Sequence, residues 1–112
     1  MNYGLLLTRN DLLAVAGYSV ASPRQPEDAP LLFSSERFDV VLIGDSVAAR
    51  VRQRIMEQLR ELRPEVPILY VYADTRYKEE PLADERVDVC GDPEPLLDAI
   101  ERQMKRSRKL AA

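Results

Sequence analysis

The 112-residue chain has no histidine and one cysteine, Cys90. Histidine-dependent catalytic triads, zinc sites of the cysteine/histidine type and an intramolecular disulfide are thereby excluded. Glycine is scarce as well: the four present are scattered, and none forms the glycine-rich loop that cradles phosphate. No apolar run approaches the roughly 18 residues of a membrane span, and no basic-then-apolar leader opens the sequence, so a cytoplasmic protein without membrane contact is expected. A net charge of −3 argues against indiscriminate binding to nucleic acid. The exception is local, in Lys105-Arg106-Ser107-Arg108-Lys109. That stretch reads as a solvated helix end whose cations meet the negative pole of the helix dipole, the alternative being a tail that contacts phosphate or a partner.

What is present suits one small domain, since apolar residues make up 46% of the chain and can furnish a core. Tyr3 to Thr8 and Tyr18 to Ala21 are short apolar runs with polar bounds and read as buried strands. Asp39 to Ile43 and Ile68 to Ala73 are β-branched and aromatic without polar alternation, as in strands covered on both faces of a parallel sheet. Arg86 to Cys90 suggests a shorter fifth strand.

Between the strands, Val47, Val51, Ile55, Leu59 and Leu62 recur at three and four, predicting an amphipathic helix over 46–63 that ends at Pro64. Asp92 before Pro93 is a cap followed by proline at the first helical position. Leu96, Leu97, Ile100 and Met104 then give the last helix, 93–107, its apolar face. A looser helix within 26–36 would use Ala29, Leu31, Leu32 and Phe33, with Pro30 limiting its start. Strands alternating with helices imply a doubly wound parallel sheet with right-handed crossovers.

Two connections are abnormal. Only Arg9 to Gly17 join the first two strands, where a parallel crossover ordinarily needs a dozen or more residues, so a helix over Asp11 to Ala16 must be a stub. Asp74 to Glu85 is rich in charge and contains Pro81, with only Tyr77, Leu82 and Ala83 as apolar anchors. A fourth helix there should be short or unravelled, with Glu79-Glu80 and Asp84-Glu85 as solvated loop charges.

Four stretches in order resemble a bacterial response-regulator receiver domain: Gly17-Tyr18-Ser19-Val20, Glu36 to Ile43, Arg63 to Ala73, and Asp92-Pro93-Glu94-Pro95-Leu96-Leu97-Asp98-Ala99-Ile100. The resemblance implies a single receiver-like domain over 1–112, with 105–112 a basic tail. It also implies a flavodoxin-like three-layer sandwich: a five-stranded parallel sheet of order 2-1-3-4-5, with shortened first and fourth helices. In that arrangement the first and last helices share one face of the sheet. A shortened first helix would leave part of that face to be covered, either by a partner surface, most simply a second copy, or by Leu12, Leu13 and Val15 packed as a turn and a half.

Ligands of open α/β sheets bind at the carboxyl ends of the strands, and phosphoryl acceptance there needs a carboxylate nucleophile, Mg²⁺ held by oxygen ligands, a hydroxyl and a cation. The resemblance places the phosphoacceptor at Gly44, the acidic metal-binding pair near Arg9 and Asn10, the hydroxyl residue at Tyr72 and the lysine near Cys90. All four positions depart from the family pattern. Arg9 would repel Mg²⁺, and it either pairs with Asp45 or reaches solvent. Asp45, one position beyond Gly44, reads as a cap, together with Ser46, for a helix starting at Val47, or else as a displaced phosphoacceptor with Asp11 as a lone metal ligand.

Cys90 reads as a small buried hydrophobe, with an intermolecular redox disulfide as the alternative. Tyr70 and Tyr72 share one side of their strand, and together with Tyr77 they form either aromatic core or an amphipathic contact patch. The expectation is a non-enzymatic pseudo-receiver without cofactor or metal, a phosphorylation-independent protein-interaction or dimerisation module of bacterial signal transduction, whose output passes through another polypeptide. The alternatives are a phosphorylatable regulator using Asp45 and a small-ligand sensor at the strand ends.

Overall fold

The computed structural model describes residues 3–7, 19–89 and 94–111. Strands β1 (Tyr3–Leu7), β2 (Ser19–Ala21), β3 (Val40–Gly44), β4 (Ile68–Tyr72) and β5 (Glu85–Asp88) pair in parallel in the order β2-β1-β3-β4-β5. Helices α1 (Ala29–Ser35), α2 (Ala49–Leu62) and α3 (Glu94–Ala111) lie between and after them. Single 3₁₀ turns occupy Pro26–Asp28 and Thr75–Tyr77.

The central strands β3 and β4 carry no charged residue because both of their faces are covered. Val41 and Ile43 of β3, with Ile68 and Tyr70 of β4, face Phe33 of α1 and Ile55, Met56 and Leu59 of α2. On the opposite face Val40, Leu42, Leu69, Val71 and Val87 meet Leu96, Ala99, Ile100 and Met104 of α3. The period of two along each strand thus divides one run of apolar residues between two cores. The register sets Ile43 beside Tyr70 and Val71 beside Val87, so each face is continuous across the sheet.

The helices depart from the sequence expectation at their ends. α2 starts at Ala49, later than the expected 46, because residues 45–48 turn between strand and helix with the Val47 amide donating to the Gly44 carbonyl (3.2 Å). Leu62, expected on its apolar face, is 47% exposed in the last turn, while Arg52 is buried in that face. α1 buries Ala29 and Phe33 but leaves Leu31 74% exposed, since a helix of seven residues against one layer buries a single stripe. Phe33 stacks on Phe38 at 6.0 Å, and the Arg63 guanidinium lies 5.0 Å from the centre of the Phe33 ring. α3 runs to Ala111, past the expected 107, with the expected stripe inward.

The 73–84 connection contains only the 3₁₀ turn Thr75–Tyr77, in line with an unravelled fourth helix. Asp74 caps that turn by accepting from the Arg76 amide at 3.0 Å. β5 runs from Glu85 to Asp88, earlier than expected. Asp11–Ala16, Asp92–Pro93 and Cys90 lie outside the described residues, as do Arg9, Asn10, Leu12, Leu13 and Val15. Among the described residues no helix is long and apolar enough to cross a membrane.

Candidate functional site

β3 ends on Gly44, buried beside Val71 of β4. Next in sequence, the Asp45 amide donates to the Val71 carbonyl at 3.1 Å, which carries the ladder one residue beyond the strand. The Asp45 carboxylate then accepts from the Ala73 amide, also at 3.1 Å. Asp45 is therefore a cross-strand tie. The cap reading is corrected: α2 takes Ala48 as its N-cap residue, no side chain bonds to it there, and Ser46 is exposed. Tyr72 is half-buried at the end of β4, its ring 6.0 Å from that of Tyr70.

Tyr70 is fully buried, so its expected place on an interaction surface is also corrected. Its hydroxyl donates to the Tyr77 carbonyl (2.6 Å), and the Arg52 guanidinium sits 4.5 Å over its ring. Burial pushes the Tyr70 phenol above its ordinary range, although nearby Arg52 opposes that. Tyr77 itself is 52% exposed, with the Arg76 guanidinium 5.5 Å over its ring, and it keeps its place as a candidate contact residue. Arg76 also pairs with Asp74 at 2.6 Å, and its hydrogen bonds hold the Asp74 carboxyl below the usual carboxylate range.

Beneath this loop lies a buried ion pair that the sequence reading missed. Glu80, read as a solvated charge, has no exposed surface, and its Oε1 accepts from Arg52 Nε at 2.7 Å. The second carboxylate oxygen accepts from the Leu82 amide (3.3 Å), and Arg52 Nη1 donates to the Val47 carbonyl (2.9 Å). Arg60, two turns further along α2, donates to the Leu82 carbonyl and pairs with Asp84 at 3.1 Å. The Asp84 carboxylate in turn accepts from the Ile68 amide at 2.7 Å. Glu85, also expected in solvent, pairs with Arg102 and accepts from Gln103 of α3. Burial alone would raise its pKa, but those hydrogen bonds outweigh burial and hold it below the usual range.

One signal could have exposed the pair: Arg52 lies in phase with Ile55, Met56 and Leu59, so an arginine occupies the buried stripe of α2. A charge placed there needs a partner, which the loop supplies.

The fold is that of response-regulator receiver domains. Response regulator protein TrrA from Thermotoga maritima, solved with Mg²⁺-BeF, superimposes with a TM-score of 0.78 at 18% identity, covering 92% of this chain and 99% of that one. A response regulator receiver domain from Clostridium thermocellum gives 0.78 at 16% identity over 98% and 99%. The receiver domain of a sensor histidine kinase from Pseudomonas aeruginosa, with magnesium in its active-site cleft, gives 0.76 at 17% over 93% and 98%. No protein-family model matches the sequence, and no curated protein does.

Proposed function

We propose that this chain is a pseudo-receiver, a receiver-fold module that serves two-component signalling through protein contact and performs no phosphoryl transfer. The observation that carries this reading is at the end of β3. The position that the receiver resemblance gives to the phosphoacceptor is Gly44, which has no side chain, and the neighbouring carboxylate of Asp45 is engaged by the Ala73 amide. Asp74, the next carboxylate at this end of the sheet, is turned to Arg76. Mg²⁺ requires convergent oxygen ligands and receivers use it to neutralise charge on the transferred group, and among the described residues no group of three or more carboxylates is placed to hold a metal ion. The response regulators and kinase receiver domain that share the fold support the signalling context. The partner is a second copy or another signalling protein, and exposed Tyr77 suits such a contact because tyrosine is well represented at interfaces.

The test is intact mass after incubation with acetyl phosphate and Mg²⁺. The expected result is an unchanged mass. A phosphoryl adduct that disappears in Asp45→Ala would overturn the reading and identify Asp45 as a displaced acceptor.

A further inference from the structure

We propose that residues 74–84 form a latch, a segment that opens as a unit while the sheet stays folded, and whose closed state is set by Arg52. This inference stands on packing and is independent of the functional reading above. Within 74–84 the only buried side chain is that of Glu80, and the apolar anchors Leu82 and Ala83 are only half-buried. Beyond the partial packing of Leu82 and Ala83 on the core, polar ties hold the segment down: Glu80 on Arg52, the Tyr77 carbonyl on the Tyr70 hydroxyl, the Leu82 carbonyl on Arg60, the Glu80 carbonyl on Arg86 Nη1 at 2.8 Å, and Asp84 on Ile68 of β4 through both its amide and its carboxylate.

Such ties behave differently from apolar packing when they break. Once the segment lifts, Arg52 and Glu80 both regain water, and that rehydration offsets much of the lost attraction, whereas exposing Ile55 or Leu59 brings no such return. Opening 74–84 uncovers Leu82, Ala83 and the core surface they pack against, far less apolar area than unfolding the sheet would, which is the condition for a local opening below the global unfolding free energy. The same guanidinium bonds the Val47 carbonyl, so Arg52 joins the β3–α2 turn to the latch. Removing the charge of Glu80 while keeping its shape should shift the latch toward open.

The experiment is native-state hydrogen exchange on the full chain across sub-denaturing urea, comparing wild type with Glu80→Gln and Arg52→Met. In wild type the Leu82, Ala83 and Asp84 amides, which are bonded in the closed segment, should be at least tenfold less protected than the amides of β3 and β4. Their exchange should also be nearly independent of urea, as local openings are. In either variant their protection should fall a further tenfold or more and stay urea-independent, with faster tryptic cleavage after Arg76 and Lys78. Latch amides that share the urea dependence of the strands would overturn the proposal, and that arm needs no variant to fold. So would protection within twofold of wild type in a folded variant.

Discussion

Replacing Tyr70 by phenylalanine isolates one atom of the buried network. The ring stays beneath Arg52, 4.5 Å from its guanidinium, and only the hydroxyl's 2.6 Å bond to the Tyr77 carbonyl is lost. A neutral hydrogen bond contributes about 0.5–1.5 kcal/mol net, and the carbonyl left behind belongs to a half-exposed residue that water can reach. The expected cost is therefore about 1 kcal/mol, or about 4–6 °C in Tm for a domain of this size. Tyr70→Ala removes the ring from the core as well and should cost about 3–5 kcal/mol. Chemical denaturation read by circular dichroism measures both.

The alkaline limb gives a second reading of the same substitution. Burial raises the phenol above its unfolded value of 10.0, so the folded state favours the neutral form. That contribution is complete below pH 10 and declines as the pH rises further, because the unfolded chain ionises first. The deficit of Tyr70→Phe should narrow above pH 10. A phenylalanine variant as damaged as the alanine variant, or one whose deficit is the same at pH 8 and pH 11, would refute this account of Tyr70.

Two further outcomes follow from burial and charge. Glu85, held below its ordinary value of 4.5 by Arg102 and Gln103, stabilises the fold at neutral pH and loses that contribution as the pH falls through its folded pKa. Glu85→Gln should therefore be less stable than wild type at pH 7, with the difference closing in acid titrations carried below pH 4.5. Leu31→Ser should change stability by no more than about 0.5 kcal/mol, whereas Phe33→Ala, two positions along the same helix, should cost about 3–5 kcal/mol in urea denaturation.

Much of the fold was legible because its signals are local. An unbroken apolar, largely β-branched run such as Val40 to Ile43 has few solutions other than a strand covered on both sides, and the stripe Leu96, Ile100, Met104 can only be one side of a helix. Charges that act across the fold were illegible. Glu80 follows Glu79 in a polar stretch, and its partner lies 28 residues earlier on another element, so nothing nearby separates the buried glutamate from its solvated neighbour. Asp45 misled for a related reason. An aspartate just before a helix resembles a cap, but the extra turn through Ala48 carries the helix start out of reach and leaves the carboxylate beside the Ala73 amide. The end of α1 shows the limit of periodicity, since Leu31 and Phe33 are equally apolar and only the packing layer decides which is buried.

The most direct measurement is an amide NMR spectrum recorded during titration with Mg²⁺ and then with a beryllium fluoride phosphoryl mimic, following Gly44, Asp45, Tyr72 and Ala73. If the domain works without phosphoryl transfer, these resonances stay in place at millimolar Mg²⁺ and after the mimic is added. Saturable shifts converging on Asp45, with the Ala73 amide released from its carboxylate, would contradict the account and restore a phosphorylation switch.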